Sequence, residues 1–139
     1  ILAFEATLDA YGAREINARY RARWDEPMDP PAWAAYQAVK ILYEVAFFGR
    51  STAAGDVLGR LTADGAVFDL WKGIGATFRP WDRQLRQSMY LVEIREQEPE
   101  PFRLGLLVGE LPAIYLPGTD PTERLDQIGD LANRTDCRR

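Results

Sequence analysis

The sequence predicts a single α/β domain in which three helices are followed by short strands, a hairpin and a terminal helix. The chain has 139 residues, 47% of them hydrophobic and 27% charged, which suits one core and leaves little room for two. Apolar residues recur at helical spacing over about residues 1–65, whereas β-prone runs interrupted by glycines occupy about 66–110. A last helical pattern covers about 120–132.

The first helix is predicted between Asp9 and Trp24. Arginines fill the faces that its apolar residues leave, and Glu15 lies four residues before Arg19, so the two can pair across a solvated face. We interpret these arginines as solvating residues. The apolar positions at helical spacing are Ala13, Ile16, Tyr20 and Trp24.

The second helix is predicted to start after Asp29 and to end at Gly49. An aspartate side chain can accept unpaired amide protons at a helix start, and the prolines at 30 and 31 suit a first turn. We expect this helix to be largely buried. Its predicted apolar face consists of Ala35, Ala38, Val39, Leu42, Val45 and Ala46.

A third, shorter helix is predicted after Ser51 or Thr52, either of which can cap it. It is expected to end near residues 63–65, where an Ala-Asp-Gly string stops a helical pattern. Its apolar residues are Val57, Leu58 and Leu61.

Two short strands are predicted at 67–71 and 76–79, separated by a glycine-rich turn. Two further strands, at 88–94 and 102–108, are expected to form a hairpin joined by a Glu- and Pro-rich loop at 95–101. A capping signal that starts at Asp120 then begins the terminal helix. Its apolar side carries Leu125, Ile128 and Leu131.

Charge and composition argue against several functions. A net charge of −4 offers no basic surface for a phosphate backbone, so we expect no nucleic-acid partner. No apolar run approaches the ~18 to 20 residues of a membrane-spanning helix, so we expect none. Histidine is absent, which removes the commonest general base and metal ligand. We therefore expect neither an enzyme nor a bound metal or cofactor.

The two ends of the chain suggest a longer product. The sequence starts at Ile1 with no export signal, from which we expect that residues were removed before it. Cys137 stands alone, and it can be a free thiol or the partner of a cysteine elsewhere. A reduced cytoplasmic thiol is equally compatible with a single cysteine.

Three short motifs are interpreted as structural or accidental. Gly73-Ile74-Gly75 lacks the third glycine of a phosphate-binding turn, so a simple turn is expected. The glutamates at 96, 98 and 100 lie among prolines in a solvated loop. The glycosylation-like string at 133–135 is short enough to arise by chance.

The segment 78–87 combines three arginines, two amides, an acid and an indole. Arginine forks can hold a carboxylate and tryptophan can form an apolar wall, so a recognition loop is one interpretation. In the other, Asp82 pairs locally with Arg79, Arg83 or Arg86, while Trp81 fills space between sheet and helices. The candidate ligand-binding or partner-contact residues are Arg79, Trp81, Asp82, Arg83, Gln84 and Arg86.

Four aromatic residues in the first two helices admit two interpretations as well. They could line a cleft, but aromatic residues at helical spacing are more often part of a core, which we take as the prediction. These residues are Trp24, Trp33, Tyr36 and Tyr43.

Five strings follow one another along the chain: GA at 12–13, INARY at 16–20, PM at 27–28, WAAYQAVK at 33–40 and FRPWDRQLRQ at 78–87. This order resembles the late region of type I periplasmic solute-binding proteins of ABC transporters, the branched-chain amino-acid receptor superfamily. The closest subgroup is the substrate-binding protein associated with PQQ-dependent alcohol dehydrogenase systems. The resemblance covers residues 8–94 well and the remainder more loosely. Arg83 departs from it, because a small residue is expected there.

The resemblance implies that the chain, residues 1–139, is the C-terminal portion of a two-lobed periplasmic protein. Such a protein closes on a small-molecule solute, presents it to an ABC permease and, in this subgroup, is linked to a quinoprotein dehydrogenase. Most ligand contacts would come from earlier segments, and this chain would rim the cleft. The alternative is an accessory protein with the same fold that binds the redox enzyme. Apolar faces left uncovered in a fragment also predict a homodimer.

Overall fold

Helices and short antiparallel strands share the chain, and the structure, a computed structural model, describes residues 1–94, 105–112, 117–118 and 120–127. Four helices and two small antiparallel sheets within these residues confirm the mixed α/β class. The helices are α1 (Ala13–Trp24), α2 (Pro30–Gly49), α3 (Ala54–Leu61) and α4 (Pro121–Gln127), and the strands are β1 (Thr77–Phe78), β2 (Leu85–Arg86), β3 (Met89–Glu93) and β4 (Leu106–Leu111).

The helix boundaries follow local signals closely. The carboxylate of Asp29 accepts the amide proton of Ala32 at 2.8 Å, and α2 ends at Gly49, so both predicted ends are confirmed. The predicted cap of α3 is wrong, because its N-cap is Ala53, which has no capping side chain. The Ser51 hydroxyl instead accepts from the Ala53 amide at 3.2 Å.

The strands pair as two separate hairpin-like units. β1 and β2 pair with Thr77 opposite Arg86, and β3 and β4 pair from Met89 opposite Leu111 to Glu93 opposite Leu106. The predicted pairing of the last two strands is thus confirmed, although β4 lies later in the chain than 102–108. The predicted loop 95–101 lies outside the described residues.

The predicted strand at 67–71 is wrong. Only Phe68 makes a strand-like bridge, with Ala76 opposite it. Gly73 lies between them with φ +56°, a conformation that glycine adopts without steric penalty. The string Gly73-Ile74-Gly75 therefore belongs to the connection between these two bridged residues, in agreement with the simple turn expected there.

The core lies between the helices and the N-terminal segment. Phe4 stacks on Trp33 with ring centres 5.5 Å apart, and both side chains are buried. Leu2 pairs with Tyr90 through two backbone hydrogen bonds of 2.8 Å, which ties the start of the chain to β3. The other large members of this core are Leu8, Ile16, Met28, Ile41, Val45, Phe68 and Leu70.

The predicted burial of α2 is wrong on most of its predicted face. The helix buries Trp33, Gln37, Ile41 and Val45 instead. Gln37 belongs to the buried face because its side-chain amide donates to the carbonyl of Leu70 at 2.8 Å. α2 is apolar on nearly all sides, so periodicity could not show which side faces the core.

The described residues do not display the two-lobed receptor fold. Each sheet has two strands, and both are antiparallel. Within the same residues, no helix combines the length and the apolar character needed to cross a membrane.

Candidate functional site

The segment 78–87 forms the β1–β2 hairpin. The Arg79 amide donates to the Gln84 carbonyl at 2.8 Å, and the Arg83 amide donates to the Arg79 carbonyl at 3.0 Å. Asp82 accepts the Gln84 amide proton at 2.9 Å. Arg83 has φ +60°, a left-handed conformation that favours glycine. The tight turn therefore exists with an arginine at its strained position.

The two buried arginines of this hairpin are held by two aspartates. Arg79 is 4% exposed, and its guanidinium lies 3.0 Å from Asp82 and 3.3 Å from Asp126. Arg86 is 8% exposed and donates twice to Asp126, at 2.6 and 3.2 Å. Paired hydrogen bonds of this kind are the strong form of an ion pair. α4 is thereby attached to β2.

Trp81 lies against both guanidinium groups. Its ring centre is 5.8 Å from the Arg79 carbon Cζ and 5.1 Å from that of Arg86. Of the six candidate residues, only Arg83 and Gln84 are exposed. The local pairing of Asp82 with Arg79, the second interpretation of this segment, is what the geometry shows. The cluster consists of Arg79, Trp81, Asp82, Arg86 and Asp126, and we call it the hairpin ion cluster.

Asp126 was not identified from the sequence. It lies forty positions from Arg86, and no local pattern connects them. Leu125, which was predicted on the apolar side of the terminal helix, is buried, and this orientation places the neighbouring Asp126 beside the hairpin. The predicted helix side was therefore the available signal.

A second polar centre surrounds Lys72, which is 2% exposed. Its amine donates to the carbonyls of Ala3 and Ser88, the latter at 2.8 Å. It also lies 4.3 Å from the ring centre of Trp33. The side chain thus connects the N-terminal segment, the core and the residue before β3.

Burial lowers the pKa of the Lys72 amine from 10.5 to about 7, and the charge of Glu110 opposes part of this fall. An amine with such a pKa could act as a base near neutral pH. Here, however, the amine faces two carbonyls and an indole ring. A nearby cavity of about 380 Å³ is lined by Tyr11, Tyr90 and Glu110, but Lys72 does not line it. We interpret Lys72 as a structural residue.

Glu110 and Ser88 complete the surroundings of this lysine. The Tyr11 hydroxyl donates to Glu110 Oε2 at 3.0 Å. A side chain at Gly73 would collide with Ser88 and approach Glu110, so the glycine permits close packing here. Within the part of the chain that is described, no group of three histidine, cysteine, aspartate or glutamate residues could hold a metal ion.

An open groove of about 540 Å³ lies between α1 and α2. Ile16 and Met28, both buried, contribute to its lining together with the exposed Trp24. Arg19 and Arg23 line it as well. Their interpretation as purely solvating residues overlooked this concave surface, because a pattern within α1 alone does not show what α2 places opposite.

One side of α2 is apolar and uncovered. We call it the outer face of α2, and its large side chains are Val39, Leu42, Tyr43, Phe47 and Phe48, which are 70%, 50%, 63%, 62% and 77% exposed. Tyr43 and Phe47 stack on each other with ring centres 5.6 Å apart. An uncovered patch of this kind marks an interaction surface more often than a free surface.

The four aromatic residues predicted for the core separate into two groups. Trp33 is a core residue, as predicted. The prediction is wrong for Trp24, Tyr36 and Tyr43, which are exposed. Trp24 and Tyr36 line the groove, and Tyr43 belongs to the outer face of α2. The motifs at 96–100 and 133–135, and Cys137, lie outside the described residues.

Comparison with protein-family models, with curated proteins and with solved structures found no match to this chain.

Proposed function

We propose that this chain is part of the periplasmic solute-binding component of an ABC transporter linked to PQQ-dependent alcohol oxidation, without covalent chemistry of its own. The observation that carries the proposal is the outer face of α2. Val39 and Phe47 lie eight residues apart on it, and both are more than half exposed. A protein that acted alone would leave this surface in water at a free-energy cost.

The composition of this face indicates a permanent cover. Its large residues are aliphatic or aromatic, and none is charged. Permanent interfaces resemble a domain core cut in half, whereas transient ones are more polar. The occupant we propose is the remainder of the same receptor, whose other segments would pack on α2 as one lobe is completed.

The hairpin ion cluster is compatible with a position beside the solute cleft. Its buried arginines are neutralised by Asp82 and Asp126, so the hairpin is a rigid element. Arg83 and Gln84 project from it and are exposed. We assign these two side chains to the rim of the cleft, where they would contact the solute or the permease.

Accessibility of α2 tests the proposal. In a Cys137→Ser background, the reaction of Val39→Cys with a maleimide is measured in this chain and in the longer protein that contains it. We expect at least about tenfold protection in the longer protein, since a tenfold change corresponds to about 1.4 kcal/mol. Ala18→Cys, on the exposed side of α1, is the matched control and should react equally in both. Equal labelling of Val39→Cys in both proteins would contradict the proposal.

Solute capture requires a separate measurement on the longer protein. Thermal shift with alcohols, organic acids, the quinone cofactor and metal ions should reveal stabilisation by one class of solute, because a ligand that binds only the folded state raises its stability. No stabilisation by any class would argue against a receptor.

The same outer face supports a second candidate, an accessory protein that binds a periplasmic quinoprotein dehydrogenase. The two candidates differ in what protects Val39→Cys. Protection that appears only when the dehydrogenase is added, together with retention of the dehydrogenase in a pull-down, would favour the accessory protein. Protection in the longer protein without the dehydrogenase favours the receptor.

A further inference from the structure

The groove between α1 and α2 combines apolar walls with positive charge. Ile16 and Met28, each 3% exposed, belong to the buried part of its lining. Trp24 and Tyr36, 59% and 37% exposed, present aromatic surface to it. Its volume of about 540 Å³ lies within the range of small-molecule sites. A flat apolar group could be accommodated against these rings.

Two arginines supply the charge. Arg19 and Arg23 are four residues apart on α1, so they lie one above the other on the same side of the helix. Arg19 lies 3.9 Å from Glu15, and both side chains are more than half exposed, so this pair is weak. The Arg23 guanidinium carbon lies 5.3 Å from the ring centre of Trp24. None of the described residues that line the groove is acidic.

We infer that this groove binds a small organic anion that has a flat apolar body and one carboxylate. The body lies against Trp24 and Tyr36, and the carboxylate accepts hydrogen bonds from Arg19 and Arg23. Guanidinium matches a carboxylate because its planar fork can donate two parallel hydrogen bonds. The argument uses only residues of α1 and α2, so it does not depend on the receptor assignment.

Binding of phenylacetate to this chain, with phenylacetamide as its neutral counterpart, tests the inference. Both are titrated while the NMR signals of the Trp24 indole and the Met28 methyl are followed. We expect phenylacetate to shift both signals and to bind at least about tenfold more tightly than phenylacetamide. Equal affinity of the two compounds would overturn the role of the arginines, and no shift up to about 10 mM would overturn the site.

Matched variants separate the groove from general attraction of anions. Arg23→Gln should weaken phenylacetate binding about tenfold, and Trp24→Ala should weaken it to a similar degree. Arg14→Gln removes the same charge from α1 at an exposed residue outside the groove and should leave the affinity unchanged. An equal loss in Arg14→Gln, or equally tight binding of inorganic phosphate, would show that charge alone attracts the anion and would overturn the proposal. Circular dichroism of each variant verifies that α1 stays folded.

Discussion

Lys72 replaces a backbone donor at a place where three segments meet. Its amine donates to the carbonyls of Ala3 and Ser88, which belong to segments that are far apart in the sequence. Contact with the face of Trp33 favours the charged form, but removal of the amine from water disfavours it more. The fold therefore gains hydrogen bonds here and loses the hydration of a cation.

This balance predicts a pH-dependent stability. Because the Lys72 pKa falls from 10.5 to about 7 on folding, the unfolded chain binds more protons between these values. The free energy of unfolding should therefore gain a Lys72 contribution as the pH rises through this window, by at most about 1.4 kcal/mol per pH unit, and lose it as the pH falls toward 7. Urea denaturation from pH 7 to 10.5 measures the slope. The variant Lys72→Met should lack this contribution.

A control separates Lys72 from the other groups that titrate in the same window. Lys40→Met removes a lysine whose amine lies 3.0 Å from Glu44 and donates to the Asp69 carbonyl. It should keep the slope of the parent chain. If Lys72→Met also keeps that slope, the amine is charged in the folded chain throughout the window and the lowered pKa is wrong.

At the scale of elements, α4 depends on the hairpin ion cluster. Asp126 accepts two hydrogen bonds from Arg86, and removal of one partner leaves the other buried charge uncompensated. We expect Asp126→Asn to lower the free energy of unfolding by about 3 kcal/mol and to increase amide exchange in α4 and β2. Glu123→Gln, an exposed residue of the same helix, should change stability by less than about 0.5 kcal/mol. Equal effects of the two variants would contradict the structural role of the cluster.

The start of α2 depends on one side chain. Asp29→Ala removes the acceptor of the 2.8 Å bond from the Ala32 amide and should lower the free energy of unfolding by about 1 kcal/mol. Asp29→Asn retains a good capping group and should stay within a few tenths of a kcal/mol of the parent. Denaturation of the two variants side by side gives the comparison. Equal loss in both would mean that the charge of Asp29, and not its capping bond, stabilises α2.

The predictability of each element follows from the range of the interactions that define it. The signals of Asp29 and Gly49 act within one turn, so the ends of α2 could be predicted from the sequence. Its buried side could not, because the choice depends on distant contacts such as that of Gln37 with Leu70. The six-residue candidate site was predicted as a compact unit, but Asp126, which holds two of its arginines, comes from a distant helix.

At the scale of the molecule, three different surfaces divide the possible work. The hairpin ion cluster is closed upon itself, the α1–α2 groove is open and positively charged, and the outer face of α2 is apolar. These surfaces call for different occupants: an anion suits the groove, and protein suits the outer face. A chain with its apolar face in water should seek another apolar surface, and the nearest available one in solution is a second copy of itself.

We therefore expect this chain, by itself, to self-associate through the outer face of α2. Sedimentation equilibrium from micromolar to millimolar concentrations should show a concentration-dependent rise in mass. Val39→Lys combined with Phe47→Lys should abolish that rise and change the free energy of unfolding of the monomer by less than about 0.5 kcal/mol, because both side chains are mostly exposed. Ala18→Lys combined with Val67→Lys adds the same charge at exposed positions outside α2, and it should leave association intact. A parent chain that stays monomeric, or a control pair that dissociates equally, would show that the outer face does not drive association.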